Sequence, residues 1–509
     1  MQDFRHRDWL RHHARLQPER PCWTDLHSNR AFTFAEAEAR VSRLAAHLQR
    51  ACGVDRGDRV AVLCMNSTDM LEVWSACAKI GAIFLPLNWR LAPPEIDFIL
   101  SDGEPQALIF DTANADTVKA LEWTGATLIE TSGGGGDTPY EAAIAGADGD
   151  YAEQAMGHDD AWTILYTSGT TGRPKGAINT YGMAFWNAVN LGIFMAVTPQ
   201  ARGITLLPLF HTGGLNCYAA PLLHAGGSSL VMRAFDAGAA LRLIGDPEVG
   251  MTHFFGVPAN YLFMAQHPDF PLTDFSRLVR AGIGGAPAPV PLLEAWKAKG
   301  VALVQGFGMS ETSPAVCFQD AERAFAKPGS AGRSVHYGEM KVVLEDGTDA
   351  GVNEVGELWV RGPNIMPGYW RRPEATAASF TGEWFHTGDA ARIDEDGDCW
   401  IVDRWKDMFI SGGENVYPAE VESAMHALPE VADVAVVGEP SDKWGETGVA
   451  FVVPAEGAQP TEADILGALN GRLARYKIPK RVIFTGPLPR NATGKIVKAP
   501  LRERIRAGE

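Results

Sequence analysis

Between Phe34 and Ala92 segments with helical spacing of apolar residues alternate with short apolar runs, and this alternation leaves few folds open. The stretch EAEARVSRLAAHLQRA (Glu36–Ala51) spaces its apolar positions as one face of a helix. DRVAVLCM (Asp58–Met65) and GAIFLPLN (Gly81–Asn88) are short and bounded by Gly and Asp, as buried strands are. The pattern continues through GATLIE and GITLLPLF, which predicts a layered α/β fold. A chain of 509 residues outgrows a single core, so at least two domains are expected. The character changes after CWIVDR (Cys399–Arg404), where a Gly-rich turn precedes an amphipathic helix. We expect domains at 1–405 and 406–509, the second a small α+β unit with strands VADVAVVGEP and GVAFVVP.

A formal net charge of −17 argues against a surface that tracks nucleic-acid phosphates. The seven cysteines (Cys22, Cys52, Cys64, Cys77, Cys217, Cys317 and Cys399) are scattered without a C-x-x-C pair, as reduced thiols are. No apolar run reaches the roughly eighteen residues of a membrane span and no signal peptide is evident, so a cytoplasmic protein is expected. Charge is uneven: from Arg472 onward eleven Lys or Arg stand against Glu503 and Glu509.

The strongest local signal is YTSGTTGRPKG, Tyr166–Gly176. Its glycines let backbone N–H groups converge on an anion, its hydroxyls donate further hydrogen bonds, and Lys175 adds a point charge, so the loop suits phosphate. It is not a Walker loop, because Gly172 is followed by Arg173, Pro174 and Lys175. Four further motifs follow: GFGMSET (306–312), WFHTGD (384–389), DRWKDMFISGGENVYPAEVE (403–422) and PRNATGK (489–495). In GFGMSET the turn residues place Ser310 and Glu311 side by side, a hydroxyl for phosphate and a carboxylate for a hard cation. Glu311 alone reads as solvated surface and His211 alone as a satisfied structural histidine. Asp389 and Arg404 on spacing alone read equally well as an interstrand salt bridge. Lys495, on a Gly turn, can neutralise charge at a reacting phosphate.

In this order the five motifs resemble those of the adenylate-forming superfamily, whose members include acyl-CoA synthetases, luciferases and peptide-synthetase adenylation domains. The resemblance spans most of the chain and implies a large multi-sheet N-terminal domain with a small mobile α+β C-terminal domain. It implies ATP contacts at Thr167, Ser168, Gly169, Thr170, Thr171, Gly172 and Lys175, at Gly285, Ala286 and Pro287 of GIGGAPAP, and at Gly306, Phe307, Gly308, Met309 and Ser310. Glu311 and Thr170 would hold Mg2+, Asp389 and Arg404 the ribose, and His211 the acyl carboxylate as a positioning group. Phe307 and Ser310 stand where many relatives carry Tyr and Thr.

The resemblance further implies an ATP-dependent carboxylic acid:coenzyme A ligase working through an acyl-AMP, with Lys495 on the small domain serving the first half-reaction. That domain would then rotate about Lys406, bringing Gly412 and Gly413 beside the pantetheine arm of coenzyme A, near Trp444. Arg90 and Arg475 are candidates for its nucleotide phosphates. Trp186, Asn187, His211, Gly214, Val257, Gly284, Gly306 and Met309 are candidate acyl-pocket residues, suited to a benzoate- or cinnamate-like acid or a medium-chain fatty acid. The alternatives are a freestanding enzyme loading a carrier-protein thiol, an oxidative luciferase, or a non-catalytic nucleotide-binding homologue. A homodimer is compatible with the chain.

Overall fold

The computed structural model describes residues 5–167, 174–286, 288–404, 407–411, 414–441, 444–470, 472–473, 475–490 and 495–509, with the side chains of residues 404, 414 and 415 excepted. Helix formation follows the local chemistry read from sequence. Thr33 caps the helix Phe34–Arg50: its hydroxyl accepts from Glu36 N–H while Glu36 accepts in turn from Thr33 N–H. Phe34, Ala37, Val41, Leu44, Ala45 and Leu48 of that helix are buried, and Arg40 reaches across to Glu72 on the helix Thr68–Ile80.

Contacts divide the chain into two compact units, residues 1–339 with 360–385, and residues 340–359 with 386–509. Residues 340–359 and 386–404 therefore go with the C-terminal segment, where a single cut at residue 405 assigns them to the N-terminal domain. Lys406 lies outside the described residues.

The first unit holds two large sheets. One runs, edge to edge, Thr127–Thr131, Ala107–Asp111, Arg59–Leu63, Ile83–Pro86, Ala161–Thr167 and Lys175–Thr180, parallel except for the last pair. The other has nine strands with a parallel centre: Leu303–Gly308, Arg280–Ile283, His253–Gly256, Arg202–Thr205, Ser228–Val231 and Pro21–Asp25 in that order. The apolar runs DRVAVLCM and GAIFLPLN are buried strands, as expected. Of GITLLPLF only the first half is strand, and Leu206–Phe210 continue as connecting chain.

In the second unit the strands Trp384–Ile393 and Cys399–Arg404 pair antiparallel. From Phe409 onward a separate sheet forms from Glu414–Val416, Phe409–Ser411, Gly445–Pro454 and Val431–Ser441, with Arg481–Phe484 added beside Gly445–Pro454. One apolar core lies about Phe409, Val421, Val434 and Ile465, and a second about Val437, Phe451, Leu488 and Leu501. The strand Arg481–Phe484 and the helix Ala499–Arg506 fall in the stretch that sequence marked only as a basic end. Part of its charge is matched within the unit: Lys477 pairs with Glu420, Arg481 with Glu439, Arg490 with Asp433, Lys498 with Glu422 and Arg502 with Asp407. All seven cysteines are free thiols, and no helix among the described residues is long and apolar enough to cross a membrane.

An aromatic and histidine cluster closes the N-terminal end of the first unit. The His6 ring lies 4.6 Å from that of Tyr181 and 5.1 Å from that of Trp162, and His224 lies 5.0 Å from Trp9. Burial holds both His6 and His224 down to about 4, from an ordinary value of 6.5. A folded-state pKa below the unfolded one means that the unfolded chain takes up protons first, so stability falls as pH drops from about 6.5 towards 4. The apparent Tm is expected to decline across that window, and the decline should be shallower in His6→Phe; equal slopes for the two proteins would refute the assignment.

Candidate active site

Several candidate residues stand at the carboxyl ends of the parallel strands, where open α/β sheets place their ligand crevices. Strand Ala161–Thr167 ends on Thr167, whose register partner on the returning strand is Lys175, and the Thr167 hydroxyl donates to the Lys175 carbonyl at 3.4 Å. The two ends of YTSGTTGRPKG, Tyr166–Thr167 and Lys175–Gly176, are therefore paired as neighbouring antiparallel strands. Ser168, Gly169, Thr170, Thr171 and Gly172 lie outside the described residues, as do Pro287, Gly412 and Gly413.

GFGMSET differs from the turn expected at its start. Gly306, Phe307 and Gly308 finish the strand Leu303–Gly308, and only Ser310–Thr312 form a tight 3-10 turn. Gly308 has a steric reason: a Cβ there would lie 1.4 Å from the Pro314 carbonyl oxygen, where the chain folds back on itself. A Cβ at Gly306 would meet the Phe318 ring at 2.3 Å, and one at Gly282 the Phe255 ring at 2.5 Å, so these two glycines make room for core aromatics. At Gly284 a Cβ would stand 3.0 Å from the Gly306 carbonyl, which marks the close approach of two strand ends. Gly285 has φ +81°, and Ala286 beside it is exposed.

Glu311 is not solvated surface; it is 6 % exposed. The Tyr369 hydroxyl donates to its Oε1 at 3.0 Å, and the Glu311 carbonyl accepts from Met366 N–H at 2.8 Å. Lys175 Nζ stands 5.2 Å from the centre of the Tyr369 ring. One tyrosine thus joins the lysine of the first motif to the carboxylate of the second. Sequence reading missed Tyr369, because the contact spans 58 residues and no spacing rule links them. The backbone holds the tyrosine in place: Ala177 and Tyr369 bridge antiparallel, and Trp370 N–H donates to the Gly176 carbonyl at 2.7 Å.

Behind this loop lie four buried asparagines. Asn179 donates to the Ser310 carbonyl at 3.1 Å, and Asn364 to the carbonyls of Thr312 at 2.7 Å and Ala315 at 2.6 Å. Asn187, a candidate pocket residue, has both ends of its amide committed, donating to the Asn216 carbonyl at 2.8 Å and accepting from Ala315 N–H at 3.4 Å. Its observed role is to hold two segments together.

His211 begins a helix that runs through a short α turn, Thr212–Gly214, and a π turn, Leu215–Ala219, into Ala220–Ala225. Pro221 has no N–H for the carbonyl four residues back, and the π turn widens the helix immediately before that gap. Gly213 N–H donates to His211 Nδ1 at 3.1 Å, so the neutral ring carries its proton on Nε2. A Cβ at Gly214 would lie 2.2 Å from the Pro208 carbonyl oxygen, so this glycine too answers a backbone contact. Arg90 reaches the same place: its guanidinium lies 4.4 Å from the centre of the Trp89 ring and 5.7 Å from that of Phe210. Trp186 is half-buried with its ring 4.9 Å from Tyr337, while Val257 and Met309 are half-buried.

In the second unit Asp389, 4 % exposed, is the register partner of Arg404 across the Trp384–Ile393 and Cys399–Arg404 pair. Trp444 is exposed, with Lys480 Nζ 5.8 Å from its ring centre, and Arg475 is exposed. Lys495 is exposed, next to Ile496, which bridges Arg490.

Residues 10–370 match the AMP-binding enzyme family model and residues 420–495 that of the AMP-binding enzyme C-terminal domain. The chain belongs to the AMP-binding enzyme family. Within that family it is 42 % identical to a feruloyl-CoA synthase of Amycolatopsis sp over 98 % of each chain, and 38 % identical to an indoleacetate–CoA ligase of Aromatoleum aromaticum, again over 98 % of each. Among solved structures it resembles ATP-bound MatB from Rhodopseudomonas palustris, with a TM-score of 0.89 and 34 % identity over 98 % of this chain and 99 % of that one. It also resembles the o-succinylbenzoate CoA synthetase MenE from Bacillus subtilis in complex with the acyl-adenylate OSB-AMP, with a TM-score of 0.87 and 32 % identity over 98 % of each. The adenylate-forming fold expected from the motifs is the fold observed.

Proposed function

We propose that this AMP-binding enzyme joins an aromatic carboxylic acid to coenzyme A at the expense of ATP, through an acyl-AMP. The observation that carries the reading is the buried Glu311 carboxylate held by Tyr369 beside Lys175, at the strand ends that flank the phosphate loop. An ammonium and a carboxylate so placed suit a nucleotide triphosphate with its counter-ion. Magnesium requires oxygen ligands and is commonly held by one or two carboxylates together with substrate phosphates, so Glu311 fits it. When bound, the ion neutralises charge on the departing pyrophosphate.

In the first step a substrate carboxylate oxygen attacks the α-phosphorus of ATP, the bond to the β-phosphate oxygen breaks, and acyl-AMP and pyrophosphate result. Lys175 contacts phosphate. His211 Nε2–H donates to the substrate carboxylate and orients it without acting as a base. Lys495 neutralises charge on the reacting oxygens, and Asp389 and Arg404 hold the ribose hydroxyls. In the second step the thiol sulfur attacks the acyl carbonyl, AMP leaves, and the thiol proton passes to solvent. Rotation of the C-terminal domain about Lys406 separates the two steps. The aromatic class of acid rests on the relatives at 42 % and 38 % identity, whose substrates are feruloyl and indoleacetyl groups.

The test is AMP release and thioester formation with benzoates, cinnamates, arylacetates and medium-chain fatty acids, each offered coenzyme A or a carrier-protein thiol. Turnover confined to fatty acids, or to the carrier protein, would overturn the corresponding part of the proposal. Glu311→Gln is expected to lower adenylation about 10²–10³-fold and to raise the magnesium concentration for half-maximal rate; an unchanged magnesium requirement would remove Glu311 from the site.

A further inference from the structure

Asn216 is buried in the π turn Leu215–Ala219, five residues after His211. Its amide nitrogen lies 3.3 Å from Asn179 Oδ1, 3.2 Å from Thr212 Oγ1 and 3.4 Å from Ser313 Oγ. Asn179 in turn donates to the Ser310 carbonyl, next to Glu311, and belongs to the strand that begins at Lys175. One side chain therefore touches the helix that starts at His211, the strand that carries Lys175, and the turn that carries Glu311. The direct links, at 3.2 to 3.4 Å, are water-excluded, and a lost donor there leaves buried acceptors unsatisfied.

We propose that Asn216 is a positioning residue that locks the Glu311 turn and the His211 helix into one body. It touches no substrate; it acts through Asn179 and Ser313. This rests on the ligase reading only for the direction of the kinetic effect, because the lock itself is a matter of where the Glu311 carboxylate is held. A shift of about 1 Å in a group that must meet ligand costs about a hundredfold in rate.

The experiment compares wild type with Asn216→Ala, Asn179→Ala, the double variant, and Tyr140→Phe. Tyr140→Phe removes a buried hydroxyl that donates to Glu72 at 2.9 Å in a separate network, and so serves as a control for lost stability alone. The first readout is binding of a fluorescent ATP analogue titrated with magnesium, which needs no acid substrate. Asn216→Ala and Asn179→Ala should each raise the magnesium requirement severalfold. The double variant should be little worse than either single one, since both break the same chain of contacts. The second readout is adenylation, where kcat should fall about tenfold or more while thioester formation from supplied acyl-AMP stays close to wild type. Asn216→Ala behaving as Tyr140→Phe does, with a lower Tm and an unchanged magnesium requirement, would overturn the proposal, as would additive effects in the double variant. Magnesium-dependent ATP binding by wild type without adenylation of any acid would sink the ligase reading and leave the binding test of Asn216 standing.

Discussion

Lys495→Ala is expected to slow adenylation about 10²–10³-fold while thioester formation from supplied acyl-AMP stays within a few-fold of wild type. The two half-reactions place opposite demands on this side chain. Attack on the α-phosphorus concentrates negative charge on oxygens that a lysine ammonium neutralises, and phosphoryl transfer depends on such positioning and charge more than on covalent help. Thiol attack on an acyl carbonyl has no such demand and needs space. Ile496, next to Lys495, bridges Arg490, and Val497 N–H donates to the Pro489 carbonyl at 2.8 Å, so the chain that carries the lysine is tied back to Pro489 and Arg490. Pyrophosphate exchange reads the first step, and thioester formation from synthetic acyl-AMP the second. Equal losses in both would mean that the lysine serves the fold. Lys495→Arg should fall between the two, since the charge survives on a wider, planar group with different reach.

What sequence disclosed and what it withheld divide along the range of the contacts. Thr167 and Lys175 were legible as members of one short loop motif, while the strand pairing that sets them opposite each other came only with the structure. Asp389 and Arg404 were legible as partners of some kind: two strands joined by a short turn bring them face to face. Tyr369 was not legible, since its contact with Glu311 depends on residues 364–370 threading past the turn from elsewhere in the chain. The asparagines were hidden differently. Asn179, Asn187 and Asn216 sit on a strand and helices with apolar neighbours, where an asparagine reads as a weak local breaker, and only the buried carbonyls they meet explain them. The glycines of GFGMSET were read as turn residues, but Gly306 and Gly308 end a strand and their missing side chains accommodate Phe318 and Pro314. A glycine in sequence states that space is needed without saying for what. The basic tail concealed its partners likewise, since Glu420, Glu422, Asp433 and Glu439 lie well before the cations they meet.

Lys79→Met is expected to destabilise the fold strongly from a position outside the site. The Lys79 side chain is fully buried and its ammonium donates to Asp8 and to both carboxylate oxygens of Glu38, at 2.8 and 2.7 Å. Methionine keeps the length and loses the charge, which leaves the largely buried carboxylates of Asp8 and Glu38 with Arg11, whose Nε lies 3.8 and 3.4 Å from them, to offset their repulsion; removing one partner of such a buried cluster costs about 3–5 kcal/mol. The pH dependence separates this account from simple misfit. Burial pushes the Asp8 carboxyl up, but Lys79 and the Arg11 N–H outweigh it and hold Asp8 below the usual carboxylate range. In wild type that stabilisation is present above the ordinary carboxylate pKa of 3.8 and fades as pH falls through the lower folded value. Without Lys79 two of the influences that lower the Asp8 pKa are gone while burial and Arg11 remain, so the folded pKa rises and part of the destabilisation is relieved as the carboxyl takes up a proton. The gap in apparent Tm between variant and wild type should therefore be widest near neutral pH and narrow as pH falls through the ordinary carboxylate value of 3.8. The shared histidine effect cancels in that difference. Arg50→Met offers the contrast: its pairs with Asp148 and Asp150 are solvent-exposed, and no measurable change is expected. A gap for Lys79→Met that stays constant with pH would show that the loss comes from packing and not from stranded charge.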